Sequence, residues 1–351
     1  MNKKRLLRIE SEINRVLSNT IYNGIKDNRI DPSITNITKI KLTDDLGICY
    51  VSVAVFGDEK IKEKTIKGLE HATGFMKRKI SIFKIVSMII LIGLTIFFIF
   101  PFYWIASGSF KLQDVAISIP PEWWPTSPVL TNYEKLFTPL TLRWFFNSVF
   151  ISVATTFLVC LTSSLAGYAL AKKKFPGVNV IFMIFVAAMA LPKQVILIPL
   201  LNLITEFGMM NTYYALILPA VGWPFGVFLM RQFSQSIPKE LLESARIDGC
   251  GEVRTFLSIA LPIIKPGIGA LAIFTFIASW NDYFSQLIFS NTPDMSTLPL
   301  GLAALAQGQE FSNDYGLLMA GATLASLPMI LIFICFQNYF TQGVTLGAVK
   351  G

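Results

Sequence analysis

The chain has 351 residues, 53% of them hydrophobic and only 15% charged, with a mean hydropathy of +0.57 and a formal net charge of +8. That balance excludes an ordinary water-soluble domain and a disordered chain, and points to a membrane protein. One histidine (His71) and four dispersed cysteines (Cys49, Cys160, Cys250, Cys335) show no metal-type spacing, so no metal is expected. Nor is there a Ser/His/Asp set, a Walker loop or a Rossmann glycine pattern, so the chain is expected to do no covalent chemistry and to need no cofactor.

The charge is unevenly spread. Residues 1–75 hold 13 Lys and Arg with 10 Asp and Glu, whereas the other 276 residues hold only 17 and 12. The chain therefore reads as two parts, 1–75 and 76–351. In the first, Leu6 to Ile25 predicts an amphipathic helix with Leu6, Ile9, Ile13, Val16, Leu17 and Ile21 on one face. Ile34–Leu42 and Cys49–Val55 alternate as two strands around a turn at Asp44-Asp-Leu-Gly47, and Lys60 to Ala72 predicts a second helix. Basic residues in such a frame suit RNA, but a net charge of +3 is weak support for it.

Arg15-Val-Leu17, Lys26-Asp-Asn-Arg29, Asp45-Leu46, Tyr50-Val-Ser-Val53 and Ala72-Thr-Gly-Phe75 resemble ribosome-binding factor A, a small KH-like α+β protein of ribosome maturation. The resemblance covers about two thirds of that domain and implies a helix kinked near Ala72-Thr-Gly74, then a final helix segment and a third strand. A transmembrane segment follows instead. A truncated sheet loses core, and small domains have little stability to spare, so this α-β-β-α segment is not expected to bind nucleic acid. The preferred reading is a mis-joined or artificial reading frame with the second part beginning at Met76. The alternative is a natural fusion that tethers a ribosome-maturation module to the membrane.

A bilayer core of ~30 Å needs ~20 mostly apolar residues per helix. Six segments qualify: 82–105, 145–171, 179–205, 212–231, 259–290 and 315–341. The expected class is an all-α polytopic membrane protein of about six spans behind the small KH-like segment. The first span follows Met76-Lys-Arg-Lys79 and has no small-residue cleavage site, so it reads as a retained helix. With both termini cytoplasmic, the inside carries Lys77, Arg78, Lys79, Lys84, Lys172, Lys173, Lys174, Arg231, Lys239, Arg246, Arg254, Lys265 and Lys350. The outside then carries only Lys111, Lys135 and Arg143 among loop residues, as the positive-inside rule requires.

In the outer loop, Trp123 and Trp124 are expected to be interfacial anchors rather than a sugar-stacking platform. Cys160 and Cys335, within apolar runs, are expected to be buried small hydrophobes. Polar groups at membrane depth usually face a cavity or partner. Lys193, Gln194, Asn202 and Asn281 are the candidates for a translocation pathway, while Asp282 is expected near the outer interface.

Between the fourth and fifth segments lies a polar loop at about 236–266. Ser236 is placed to cap a helix, Pro238 opens its first turn, Gly249 stops it, and Pro262 and Pro266 end the region. Glu243-Ser-Ala-Arg-Ile-Asp-Gly249 is followed after nine residues by Ile259-Ala-Leu-Pro262. A short capped helix alone would mean little, but this full spacing resembles the "EAA" coupling loop of ABC importer permeases. It matches at Glu243, Ala245, Asp248, Gly249, Ile259, Leu261 and Pro262, and departs only at Ser244, small for small. Trp280-Asn-Asp-Tyr-Phe284, Leu298-Pro-Leu-Gly301, the Pro328 region and Gly343-Val-Thr-Leu-Gly-Ala-Val-Lys-Gly351 narrow the likeness to the sugar-importer branch of the maltose-transporter type. The resemblance implies a bacterial cell-membrane location, a second permease subunit, two ATP-binding subunits, an extracytoplasmic solute-binding protein and a di- or oligosaccharide substrate. It also implies that ATP is hydrolysed on the partner subunits and that their motion enters through this loop.

Overall fold

The computed structural model describes residues 3–23, 25, 27–43, 48–307 and 314–348, with the backbone alone for 3–8, 75, 77–84 and 338–348. The expected turn at Asp44–Gly47, Lys26 and Lys350-Gly351 lie outside the described residues, as do the side chains of Leu6, Phe75, Lys77, Arg78, Lys79, Lys84 and of 343–348. The chain forms two compact units, Met1–Pro101 and Phe102–Gly351.

In the first unit, helix α1 (Lys3–Asn23) and the antiparallel strands β1 (Thr35–Leu42) and β2 (Cys49–Val55) fall where the periodicity predicts. The apolar face of α1 supplies Leu17 and Ile21 to a core completed by Ile30, Ile37, Ile40 and Ala72. A register shift between Ile37 and Lys39 marks a bulge at Thr38, whose hydroxyl donates to the Ser52 carbonyl (3.1 Å). In the connection after α1, Arg29 forms a bidentate pair with Asp27 (2.7 and 2.9 Å), which holds that carboxyl well below the usual carboxylate range. Strand β2 buries little, with Tyr50 and Val51 exposed.

The second predicted helix is longer than expected. Helix α2 (Glu59–Gly108) runs without a break through Ala72–Gly74 and on through the first apolar segment, 50 residues in all. The physical reason lies in the segment beyond Gly74. The apolar run from Ile85 must satisfy its backbone internally in lipid, so helix propagates back through a glycine that alone would cost only ~1 kcal/mol. Ile85–Gly108 qualifies as a membrane span.

The second unit is helical among the described residues: α3 (Gln113–Ala116), α4 (Thr131–Leu136), α5 (Pro139–Lys172), α6 (Val178–Ala188), α7 (Lys193–Glu206), α8 (Tyr213–Ile217), α9 (Pro224–Gln235), α10 (Lys239–Ile247), α11 (Glu252–Thr255), α12 (Leu261–Trp280), α13 (Tyr283–Phe289), α14 (Leu298–Gln307) and α15 (Tyr315–Ala348). Four helices of the described residues are long and apolar enough to cross a membrane, or up to six if two bent pairs each count as one.

Three predicted spans differ in detail. The third is broken at Met189–Pro192, with α6 and α7 set at 105°, because Pro192 lacks an N–H and disfavours helix in the residue before it. The fourth bends by 42° between Ala220 and Pro224, where Gly222 adopts φ +87°. The fifth ends at Trp280 rather than near 290, since Asp282 caps a separate helix α13 by accepting the Ser285 N–H (3.3 Å).

Helix α5 is the spine of this unit. Its N-cap, Thr138, accepts from the Thr141 N–H (3.1 Å), and its buried face carries Ser148, Ile151, Ser152, Thr155, Val159, Ser163 and Gly167. Val159, Met230, Phe233, Phe256, Ile264 and Leu271 join it to α9 and α12 in one core. At one end, Asn147 donates to the carbonyls of Asp294 and Ser296 (2.8 and 2.9 Å) and accepts from the Tyr213 hydroxyl. At the other end, Lys172 donates to the carbonyls of Gln235 and Ile237 (3.1 and 2.6 Å). Cys160 is half-buried as expected of a packed thiol, but Cys335 is exposed on α15, on a surface suited to lipid or a partner. Trp123 and Trp124 are exposed as well.

Candidate functional site

The loop at 236–266 hangs from the lysine-bearing end of α5. Ser236 does not cap the helix that comes after it; its hydroxyl turns back to the Phe233 carbonyl (2.7 Å) at the end of α9. Pro238 takes the N-cap position of α10 instead, with no side-chain bond to the first turn. Gly249 is the stop that the sequence predicts. It adopts φ +76°, the Gly249 N–H meets the Arg246 carbonyl (3.0 Å) and the Cys250 N–H reaches the Ala245 carbonyl (2.9 Å). Those two bonds form a Schellman end, in which a left-handed residue lets the chain satisfy the last helical carbonyls.

Helix α10 has two faces. Ala245 is buried and Leu242 half-buried against the core, so the small residue lets the helix lie close to the bundle. Glu243, Ser244, Asp248 and Gly249 are exposed. Ile247 is 87% exposed, an apolar side chain standing out of a charged loop. Glu243 makes no ion pair with any described residue.

Pro262 does not end the region. Residues Glu252–Trp280 form one continuous helix, in which a π segment, Phe256–Ala260, precedes Pro262. The wider turn accommodates a proline that would otherwise clash with the preceding turn. Ile259 and Leu261 are half-buried there, Pro262 is exposed, and Ala260 and Ile264 sink fully into the core. The start of this long helix is anchored by Glu252, which pairs with Lys173, the residue just past the end of α5, and with Arg246 of α10 (3.6 Å). The sequence gives no sign of that three-residue tie. Its members are charged loop residues, indistinguishable in sequence from the rest of the positive-inside set.

A second locus lies deeper. A cavity of 590 Å³ is walled by α5, α7, α9, α12 and three chain breaks, through Met189 and Leu191, Val221 to Trp223, and Asp282. On α5, its wall residue Thr155 sits eight residues from Asn147 and 17 from Lys172, ~12 and ~25 Å along the helix at 1.5 Å per residue. Lys193, the first residue of α7, lines the cavity and pairs with Asp282 at 2.5 Å. The structure thus brings together two residues that the sequence kept apart, and Asp282, only 18% exposed, lines the cavity wall. Gln194, Asn202 and Asn281 are exposed and do not line the cavity; Asn281 lies against the Met329 sulfur (3.8 Å).

A bundle of membrane-length helices, two of them broken around an inner cavity, with an exposed capped helix on a polar loop at one end, defines a polytopic transport permease. Residues 161–346 match the family model described as the binding-protein-dependent transport system inner membrane component, and the chain belongs to that family. It is a multi-pass transport component and not an enzyme. Residues 5–86 match the ribosome-binding factor A model, which extends past Met76 into the helix that continues as the first span.

Among curated proteins the chain is 41% identical over 229 residues to the arabinooligosaccharides transport system permease protein AraQ of Halalkalibacterium halodurans, covering 65% of this chain and 81% of that one. It is 36% identical over 289 residues to AraQ of Bacillus subtilis, covering 81% of this chain and all of the relative. It is also 31% identical over 259 residues to the trehalose/maltose transport system permease protein MalG of Thermococcus litoralis, covering 72% and 92%. Among solved structures, a bacterial ABC transporter involved in import of the acidic polysaccharide alginate superposes with a TM-score of 0.65 at 20% identity, covering 74% of this chain and 97% of that one. A complex of the alginate transporter with its pentasaccharide-bound periplasmic protein gives 0.53 at 16% identity. These structures share the fold.

Proposed function

We propose that residues from about Met76 onward are the membrane-spanning permease subunit of an ATP-driven importer of di- or oligosaccharides. In this reading α10 docks into an ATP-hydrolysing subunit. The observation that carries it is the exposed edge of α10: Glu243 without an ion-pair partner among the described residues, Ser244 small beside it, and Ile247 bare. An unpaired carboxylate next to an exposed apolar side chain suits a polar-rimmed protein contact. Closure of the ATPases on ATP would push α10, the tie through Glu252 would pass that push to α5, and the spans would rock between inward- and outward-open states. The saccharide class is supported by the substrates for which the relatives are named. The basic end of α5 and the loop at 236–266 would face the cytoplasm, as would both termini. The partners are a second permease, two ATP-binding subunits and an extracytoplasmic solute-binding protein.

The test is affinity purification from native membranes followed by mass spectrometry. Recovery of a second permease, an ATPase and a solute-binding protein supports the proposal, and their absence from a stable preparation counts against it. A second reading rests on the ribosome-binding factor A match at residues 5–86. It makes the chain a tether for a ribosome-maturation module. Ribosomal proteins recovered with the full chain but not with one starting at Met76 would favour it.

A further inference from the structure

We propose that strand β2 is a self-pairing edge, through which two copies of the chain join in one antiparallel sheet of order β1–β2–β2–β1. The proposal concerns residues 1–75 and goes beyond the permease reading, under which it joins two importers.

The two edges of this sheet are built differently. The Thr43 N–H bonds the Ile48 carbonyl, so the Leu42 N–H points to the outer edge of β1, where the Glu10 carboxylate accepts it (2.8 Å). The same strand carries the bulge at Thr38 and the exposed Lys39 and Lys41. Bulges, lysines and covered N–H groups are the means by which a sheet refuses a further strand. Strand β2 has none of them. Cys49-Tyr-Val-Ser-Val-Ala-Val55 holds no charge, proline or glycine. The Ile48 carbonyl and the Phe56 N–H both face β1, so alternation turns the backbone groups of Cys49, Val51, Val53 and Val55 to the open side. No described residue bonds to those groups there. At the two ends of the strand, Ile48 is 54% exposed and Phe56 79%. An uncharged, uncovered edge of this kind is a template for another strand.

The strand that fits best is a second β2. A two-fold axis at Ser52 sets Cys49 opposite Val55 and Val51 opposite Val53, and these four are the residues whose N–H and C=O groups are free to exchange bonds. A register slipped by one position would set free groups against groups already spent on β1. The same axis places the exposed Ile48 of one copy opposite the exposed Phe56 of the other, so each end covers its counterpart. Like charges directly opposite destabilise a strand pair, and this strand meets its copy with no charge at all. A lone two-stranded sheet is marginal, whereas a four-stranded one is not. The span Ile85–Gly108 confines the copies to one membrane, which raises their local concentration.

The test uses the full chain in native membranes, in a Cys49→Ser background. Ser52 is exposed, and Ser52→Cys puts a thiol on the axis. There the Cα atoms of a non-hydrogen-bonded antiparallel pair lie ~4.5 Å apart, within the ~4.4–6.8 Å that a disulfide spans. Oxidation with copper phenanthroline and peptide mass spectrometry should recover the 52–52 link, necessarily between copies, several-fold above the 11–11 link of Ser11→Cys, an exposed control on α1. Tyr50→Cys should link to itself only at the control level, whereas co-expressed Tyr50→Cys and Ala54→Cys copies should link 50 to 54. Val51→Lys adds a charge to the open edge and leaves the ladder with β1 intact. It should cut the 52–52 link several-fold, and co-expression with a Val53→Glu copy, both in the Ser52→Cys chain, should restore it. A 52–52 link no stronger than the control, or equal self-linking at 50 and 52, overturns the proposal. So does a different protein recovered on residue 52 in place of the second copy, which assigns the edge to a foreign strand. None of these readouts involves uptake, so failure here leaves the permease reading standing.

Discussion

Gly167→Ala probes the closest approach in the permease unit, where α5 crosses α9. A Cβ at Gly167 would lie 2.6 Å from the Arg231 nitrogen and 2.7 Å from the carbonyl carbon and Cβ of Met230, against an ordinary contact that begins at 3.4 Å. The two nearest obstacles are backbone, so no rotamer relieves them, and the helices must part by about 0.8 Å (3.4 less 2.6 Å). A gap of that size forfeits roughly a quarter to a half of the dispersion energy along the seam, where Val159 and Met230 are fully buried. Overpacking of this kind costs about 1–3 kcal/mol, offset in part by the ~1 kcal/mol that alanine gains over glycine in a helix. A net loss of about 1 kcal/mol is expected, or about fivefold in the folded-to-unfolded ratio. It is measured as the midpoint of unfolding in an SDS titration of the chain in micelles. Gly93→Ala is the reference, because nothing lies within 4 Å of its Cβ and the substitution should be neutral or mildly stabilising. Gly226→Ala should fall between the two, since its obstacle is the movable Ser163 hydroxyl at 2.5 Å, and Ser163→Ala should recover much of the loss. If Gly167→Ala unfolds no earlier than Gly93→Ala, α5 and α9 do not cross at this glycine.

Gly249 holds φ +76° with open space around it, so the cost of Gly249→Ala is conformational, about 1–2 kcal/mol. Sugar uptake should fall on the order of tenfold while Gly249→Asn, which tolerates that conformation, retains most of it; equal activity of the two would remove the role of the turn. Glu252→Gln loosens the tie to Lys173 and Arg246. Because Glu252 is 62% exposed, stability should barely change, yet uptake-coupled ATP hydrolysis should drop, and unchanged coupling would cut that tie out of the path. A chain beginning at Met76 should support uptake at the level of the full chain when expressed equally in cells lacking the native one, and a loss of uptake would show that residues 1–75 serve the transporter.

Much of this fold was legible because lipid enforces simple rules. Segments near Ile85, Phe145 and Tyr315 are apolar for the length of a bilayer, and each forms one long helix. The loop at Glu243–Gly249 was legible because capping chemistry is local, and α10 ends through the Gly249 N–H bonding the Arg246 carbonyl and the Cys250 N–H bonding the Ala245 carbonyl. The hidden features are non-local. Hydropathy averages over Met189–Pro192 and Val221–Trp223, so a broken span reads like a straight one, although Pro192 and Pro224 mark the breaks. Ser236 reads as a cap for the next helix, yet the preceding helix claims its hydroxyl first, since the Phe233 carbonyl is three residues away. Lys193 and Asp282 are 89 positions apart, and only the convergence of two breaks makes them neighbours.

The same contrast explains why the candidate polar residues sort as they do. Lys193, Gln194, Asn202 and Asn281 are all polar groups in apolar surroundings, and by composition they are equivalent. The break before α7 separates them. Lys193 sits at the corner where α7 begins, facing the breaks across the cavity, whereas Gln194 one step later and Asn202 two turns on point away from the wall that Lys193 joins. Asp282 enters the cavity because it caps α13 and so stands at the corner between two helices, while Asn281 is spent on the side of α15. Polarity alone therefore did not select the cavity residues; position at a break did. An alanine scan of these five residues should accordingly divide in two, with uptake impaired in Lys193→Ala and Asp282→Ala and near normal in Gln194→Ala, Asn202→Ala and Asn281→Ala. A uniform loss across all five would mean that the pathway follows the outer face of α7 and not the cavity.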